Sequence, residues 1–384
     1  MRVQRGDVVT LTRELVRVDS RNPDLVVGAP GERECARVLA DVLRDWGFAV
    51  EVRDIADGRP NVIARAGGGP GRSIMLNGHL DVVGVEGMVH APFDAELRGE
   101  RVYGRGSADM KGGIAAMCCA AARALDAGLG GSVVIAGVVD EEMASIGTSA
   151  LIASGVRADA VIITEPTRLA IAPAHRGFVW IEIAFRGRAA HGSRYDLGVD
   201  AIRHAARALV ALDGHERDVL SARTHPLLGH ASLHASTVEG GVGWSTYPER
   251  CVLRIERRTM PGETTAAVAS EIHDVCAGAF GADEAVSFET AVITAQGPSD
   301  VPVTAPLVRE LGDVIRAGGE RVRVEGLSAW TDAALFNDAG IPAICYGPGD
   351  IALAHAAEEY VPVSELERAT DVLTRFISRW CGAP

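Results

Sequence analysis

Apolar residues recur at helical spacing along residues 31–46, where Val38, Leu39, Leu43 and Trp46 line one face and Gly47 follows as a stop. The same period predicts helices at 6–18, near 113–128 and at 364–380. Between them lie apolar runs of strand length at 48–55, 61–66, 73–77, 132–139, 159–163 and 342–346. Strands alternating with helices imply an α/β layer whose sheet is at least partly parallel.

The middle of the chain has a different order. A strand is predicted at 178–187, a helix at 199–213, strands at 230–238 and 249–258, a helix at 263–279 and a strand at 285–293. This β-α-β-β-α-β succession is that of a ferredoxin-like unit. Inserted into the α/β layer, it divides the chain into a first domain at 1–175 and 295–384 and a second domain at 176–294. The chain's 384 residues accommodate two such domains.

Composition narrows the function classes. With 47% hydrophobic and 23% charged residues and no low-complexity tract, the chain is a folded globular protein. A net charge of −13 argues against a nucleic-acid partner, since such binders rely on clustered Lys and Arg. No stretch approaches the roughly 20 apolar residues of a membrane span. The segment MRVQRGDVVTLTRELVRVDS lacks the long apolar core of a signal peptide. The seven cysteines are scattered without a CxxC pair, which suits neither a disulfide framework nor a thiolate zinc site. The expected compartment is the reducing cytoplasm.

Three strands end on metal-type ligands. The strand 73–76 runs into Asn77-Gly78-His79-Leu80-Asp81, the strand 132–139 into Asp140-Glu141-Glu142, and the strand 159–163 into Thr164-Glu165-Pro166. In open α/β sheets the C-terminal strand edge is where ligands bind. His79 and Asp81 lie two apart, so in an extended segment both project to one side. One can then ligate while the other accepts the remaining ring N–H. Asp109 lies in the glycine-rich run 104–113, whose glycines allow a tight turn and close backbone approach. A carboxylate has two oxygens and can bridge two cations. Imidazole with carboxylate suits zinc, cobalt or manganese better than calcium. Taken singly, each residue is commonplace: a lone His is more often core or surface, and a Glu-Glu pair usually a helix start. No GxxxxGK[ST] or GxGxxG pattern follows a strand at 104–113, so a phosphate loop is excluded.

With these residues in view, the sequence resembles the metallopeptidase superfamily of acetylornithine deacetylase, succinyl-diaminopimelate desuccinylase, aminoacylase and carboxypeptidase G. The matching motifs are GHLDVV (78–83), GRGSADMKGG (104–113), VVDEEMASIG (138–147), TEPT (164–167), RGRAAHGS (186–193), RRTMPGE (257–263) and YGPGDIALAHAAEEY (346–360). The resemblance implies a zinc-peptidase-like α/β catalytic domain with a mixed sheet, interrupted by a ferredoxin-like lid and dimerisation domain, in a homodimer. It makes Asp109 the ligand shared by two divalent metal ions, zinc or else cobalt or manganese. Glu142 and His355 complete one metal site, His79 and Glu165 the other. Asp81 is then the partner of His79, Glu141 the general base, and His191 a residue reaching the active site of the partner subunit. His355 rests on the resemblance alone.

Substrate contacts follow in the same way. Arg258 matches the arginine expected to hold a substrate carboxylate, and backbone around Gly347 and Gly349 is expected to help. Two positions depart from the family pattern. Ser245-Thr246-Tyr247-Pro248 replaces the frequent Asn-x-x-Pro, and Tyr195 stands where a proline usually follows the lid histidine. Serine is shorter than asparagine and offers a different hydrogen-bond set, so the pocket around Ser245 is expected to differ. The implied activity is cleavage of a small amide, namely deacylation of an N-acyl amino acid. A dipeptidase or carboxypeptidase using the same centre is the alternative. A non-catalytic binding protein of the same fold would have lost the base or a ligand, and all are present.

Overall fold

The computed structural model describes residues 3–280 and 286–382. Its chain divides into two compact units: one comprises residues up to Pro173 with Val301–Glu325 and Thr331 onward, the other Ala174–Asp300 with Gly326–Trp330. The return of Gly326–Trp330 to the second unit is a feature the sequence reading lacks.

The first unit is α/β. Its mixed sheet runs, in spatial order, Ala49–Ala56, Arg59–Gly67, Ser132–Val138, Ser73–His79, Val161–Ile163, Ala343–Cys345 and Ile171–His175. The four strands from Ser132–Val138 to Ala343–Cys345 are mutually parallel. Apart from Ser73, Asn77, His79 and Ser132 their side chains are apolar and buried on both faces, as a parallel sheet covered by helices requires. The helix Gly112–Asp126 is buried along nearly its whole length. Its sequence GGIAAMCCAAARALD is made mostly of small side chains, which lets the helices Val8–Val16 and Val363–Cys381 press close to it. The latter adds Leu366, Val372, Leu373, Phe376 and Ile377 to the core. Each such side chain contributes roughly 1.5–3 kcal/mol when fully buried.

The second unit is a four-stranded antiparallel sheet in the order Ser232–Gly240, Arg250–Thr259, Gly177–Arg186, Ser287–Gln296. Along Gly177–Arg186 alternate residues Val179, Ile181, Ile183 and Phe185 point into its own core. There they meet Ala205, Ala208 and Leu212 of the helix Ala201–Asp218 and Val268 and Ile272 of the helix Thr265–Gly278. The chain order is β-α-β-β-α-β, the ferredoxin-like topology.

Several boundaries and elements differ from the sequence expectations. The helix Ala201–Asp218 continues five residues past 213, because Gly214 lies in its interior with open surroundings and stops nothing. The expected strand at 285–293 begins at residue 285, which lies outside the described residues; the strand runs Ser287–Gln296. The helices Ile146–Ala153 and Ala333–Asp338 and the strand Ile171–His175 are too short for periodicity to mark. The helix Pro306–Ala317 was also unexpected, although Pro306 opens it and Leu307, Leu311 and Ile315 recur along its buried side. Among the described residues no helix is long and apolar enough to cross a membrane.

Candidate metal centre

His79 is the last residue of its strand, Glu141 and Glu142 follow Ser132–Val138, and Glu165 lies two residues past Val161–Ile163. These three strands are adjacent and parallel, so their ends converge at one edge. The fourth parallel strand, Ala343–Cys345, pairs with Val161–Ile163 and delivers the segment carrying His355 to that edge. Asp109 enters just ahead of the buried helix. Gly106 there has φ +82°, and a Cβ on Gly113 would lie 2.0 Å from the Thr164 carbonyl oxygen. Only glycine lets the helix start this close to the Glu165 segment.

The donor atoms converge. His79 Nε2 lies 3.0 Å from Asp109 Oδ1, and 3.9 Å from both Glu141 Oε2 and Glu165 Oε1. His355 Nε2 lies 3.0 Å from Glu142 Oε2 and 3.6 Å from Asp109 Oδ2. Two groups follow, His79–Asp109–Glu165 and Asp109–Glu142–His355, each with one donor atom per residue within 4.8 Å of the others. Asp109 belongs to both. The donor set fits two divalent cations, and Glu165 Oε1 is buried with no hydrogen-bond partner.

The charges are interdependent. Burial pushes Glu141, Glu142 and Glu165 above the usual carboxylate range, and neighbouring carboxylates push them further. Burial pulls the His79 imidazolium down, but Asp109, Glu141 and Glu165 together hold it well above its ordinary value. His355 is raised to about 9, chiefly by its hydrogen bond to Glu142. A crowd of buried carboxylates around two imidazoles is a place where added positive charge is favourable.

Asp81 corrects the sequence expectation. His79 Nδ1 lies 3.0 Å from the Asp81 backbone carbonyl and 3.6 Å from its carboxylate, so the main chain takes the orienting hydrogen bond. The Asp81 carboxylate instead accepts the backbone N–H groups of Glu141 and Glu142, each at 3.2 Å. The Gly347 N–H donates to Thr167 Oγ1 at 3.1 Å and the Gly349 N–H to Glu365 Oε2 at 2.8 Å.

His191, Ser245 and Arg258 belong to the second unit. There His191 is exposed, with Nδ1 2.9 Å from Ser193 Oγ. The Ser245 carbonyl accepts the Gly192 N–H at 2.7 Å, joining the His191 and Ser245 segments. Arg258 pairs with Glu256, and its guanidinium carbon lies 5.7 Å over the Phe178 ring.

Residues 75–379 match peptidase family M20/M25/M40. The chain belongs to this family. It is 30% identical over 348 residues to an acetylornithine deacetylase of Myxococcus xanthus, covering 88% of this chain and 89% of that one. It is 31% identical over 381 residues to an N-acetyl-L-citrulline deacetylase of Xanthomonas campestris pv. campestris, covering 95% of each. Its fold is shared with the aminopeptidase PepT of Bacillus cereus at a TM-score of 0.82, 20% identity and full coverage of both chains. It is also shared with the YXEP protein of Bacillus subtilis, a dinuclear metal-binding peptidase of family M20, at a TM-score of 0.74, 16% identity and 97% coverage of each. The protein is a metal-dependent amidohydrolase.

This M20/M25/M40 member also surrounds the centre with residues outside the sequence-predicted set. Arg105 donates to Glu359 Oε2 at 2.6 Å, and Glu359 Oε1 accepts the N–H groups of Ala108 and Asp109. Asp332 is buried, accepts from Thr148 Oγ1 at 2.6 Å, and is raised to about 6 by burial. Asn22 and Arg59 both donate to Asp140 Oδ1. Of these, only Arg105 and Glu359 fall inside motifs quoted above, and their position there was the available signal.

Proposed function

We propose that the protein deacylates N-acyl amino acids with a pair of divalent ions held by its five ligand residues. The carrying observation is the Asp109 carboxylate, with Oδ1 3.0 Å from one histidine and Oδ2 3.6 Å from another. Asp109 is the shared ligand, with Glu142 and His355 on one side and His79 and Glu165 on the other. Zinc suits this donor set first, and cobalt or manganese next. The substrate class is supported by two relatives named as deacetylases over nearly their full lengths.

When bound, such ions would polarise the scissile carbonyl and lower the pKa of bound water far below that of bulk water, toward neutrality. Glu141 takes the proton of the attacking water and then passes it to the leaving amine. Its buried carboxyl, pushed well above the ordinary range, is suited to holding that proton. The second unit is read as a lid and dimerisation domain. From it the partner subunit's His191 donates to the developing oxyanion, a type of contact typically worth 10²–10³-fold in rate. Arg258 holds the substrate carboxylate, and Ser245 lines the pocket where the chain departs from its family pattern. The seven buried free cysteines support a reducing cytoplasmic setting.

The test is a hydrolysis panel of N-acyl amino acids against dipeptides with added zinc or cobalt. The expected result is amino-acid release from the acylated series, abolished by a chelator and restored by metal. Release from dipeptides alone would replace the deacylase with a dipeptidase, and no metal-dependent turnover would remove both.

A further inference from the structure

The Asn22 side chain is fully buried and gives both hydrogens of Nδ2 to carboxylates. One reaches Asp81 Oδ2 at 2.9 Å and the other Asp140 Oδ1 at 3.0 Å. Its position is set at both ends: the backbone N–H donates to the Val82 carbonyl at 2.9 Å, and Oδ1 accepts the Asp24 N–H at 2.9 Å. Arg59 meets the same Asp140 Oδ1 at 2.9 Å and is itself held by the buried Glu32 at 2.6 Å.

The two carboxylates that Asn22 joins both bear on one short segment, Asp140 as its first residue and Asp81 through its N–H groups. Asp140 precedes Glu141 and sits at φ +68°, a left-handed conformation that a non-glycine residue keeps only when its surroundings impose it. Asp81 accepts the N–H groups of Glu141 and Glu142. Asp81 and Asp140 are both buried, and without the amide only Arg59 on the Asp140 side would offset their mutual repulsion. Relaxation of Asp140 would swing the 140–141 peptide and with it the Glu141 side chain.

We propose that Asn22 is a positioning residue: by tying Asp81 to Asp140 it sets the aim of Glu141 and Glu142, with Arg59 as the outer anchor. This rests on the reading of those two glutamates as base and ligand. Asn22 is fully buried and both of its Nδ2 hydrogens go to Asp81 and Asp140, so its effect falls on turnover and on ion affinity, while KM stays put.

The experiment compares wild type, Asn22→Ala and Arg59→Lys as full-length, zinc-loaded proteins. It measures kcat and KM on the best N-acyl amino acid, and calorimetric zinc titration of each metal-free form. For Asn22→Ala the expected result is a kcat about 10–100-fold lower with KM within about twofold, and about tenfold weaker zinc binding at one of two sites. Arg59→Lys moves both readouts the same way by less. A folded Asn22→Ala with wild-type kcat and two wild-type isotherms, differing only in thermal midpoint, overturns the proposal. If Asn22→Ala does not fold, Arg59→Lys decides on the same readouts. A wild-type chain binding fewer than two zinc ions overturns the metal-centre reading, and this inference with it.

Discussion

Glu359 Oε1 accepts the backbone N–H of Asp109 at 3.2 Å, so a residue four positions beyond His355 holds the main chain of the carboxylate between the two histidines. Its other oxygen meets Arg105 at 2.6 Å, and both partners are buried. Removing the acid from such a pair costs about 3–5 kcal/mol, because a buried guanidinium is left without its counter-charge. Glu359→Ala should lose stability on that order in urea unfolding and bind zinc about 10–100-fold more weakly. Glu359→Gln keeps an acceptor for the Asp109 N–H and should retain more of both; equal losses in the two variants would count against the hydrogen bond.

Glu141 and Glu142 are neighbours with separate proposed duties. Glu142 lies 3.0 Å from His355, whereas Glu141 approaches His79 at 3.9 Å. Glu141→Ala should therefore leave the metal content near wild type while lowering kcat by roughly 10²–10⁴-fold. Elemental analysis beside steady-state kinetics checks this, and retention of most turnover removes Glu141 from the base role.

His175 is buried at the end of the strand Ile171–His175. Burial pulls it down to about 4, against an ordinary value of 6.5. Between those values the unfolded chain takes up a proton that the folded chain refuses, so stability falls as pH drops from about 7 toward about 4. The full effect is on the order of 3 kcal/mol. His175→Gln should flatten this part of the profile when urea midpoints at pH 7 and pH 5 are compared with wild type. Parallel profiles would mean that His175 titrates normally.

Gly113 presses the buried helix against the Thr164 carbonyl. Gly113→Ala puts a methyl 2.0 Å from that backbone oxygen, and neither helix nor strand can yield cheaply. A loss of about 1–3 kcal/mol is expected, together with weaker zinc binding through displaced Glu165. Thermal unfolding with and without zinc separates the two effects; an unchanged zinc-induced shift would confine the damage to packing.

Much of the centre was legible in the sequence because its signals are local. His79, Glu142 and Glu165 each follow an apolar run whose length marks a strand, and the glycines around Asp109 mark a turn. His355 has no such run of its own and was legible only through the motif that surrounds it. That the Gly347 and Gly349 N–H groups are paired with Thr167 and Glu365 was not legible, because a motif records residue types and not the partners that take up their hydrogen bonds.

By itself, the sequence determined the longer strands and helices, the β-α-β-β-α-β insertion and the placement of His79, Glu142 and Glu165 just past strand ends. These follow from periodicity and side-chain chemistry, which act over a few neighbouring positions. Tertiary structure alone decided that the strands ending at His79, Val138 and Ile163 lie side by side and parallel. It also decided that Asp109 turns one oxygen to each histidine, and that the main chain of Asp81 rather than its carboxylate orients His79. Asn22 meets Asp140 and Arg105 meets Glu359 across 118 and 254 positions of chain. Contacts at that separation are set by how buried surfaces close on one another, which no local pattern encodes.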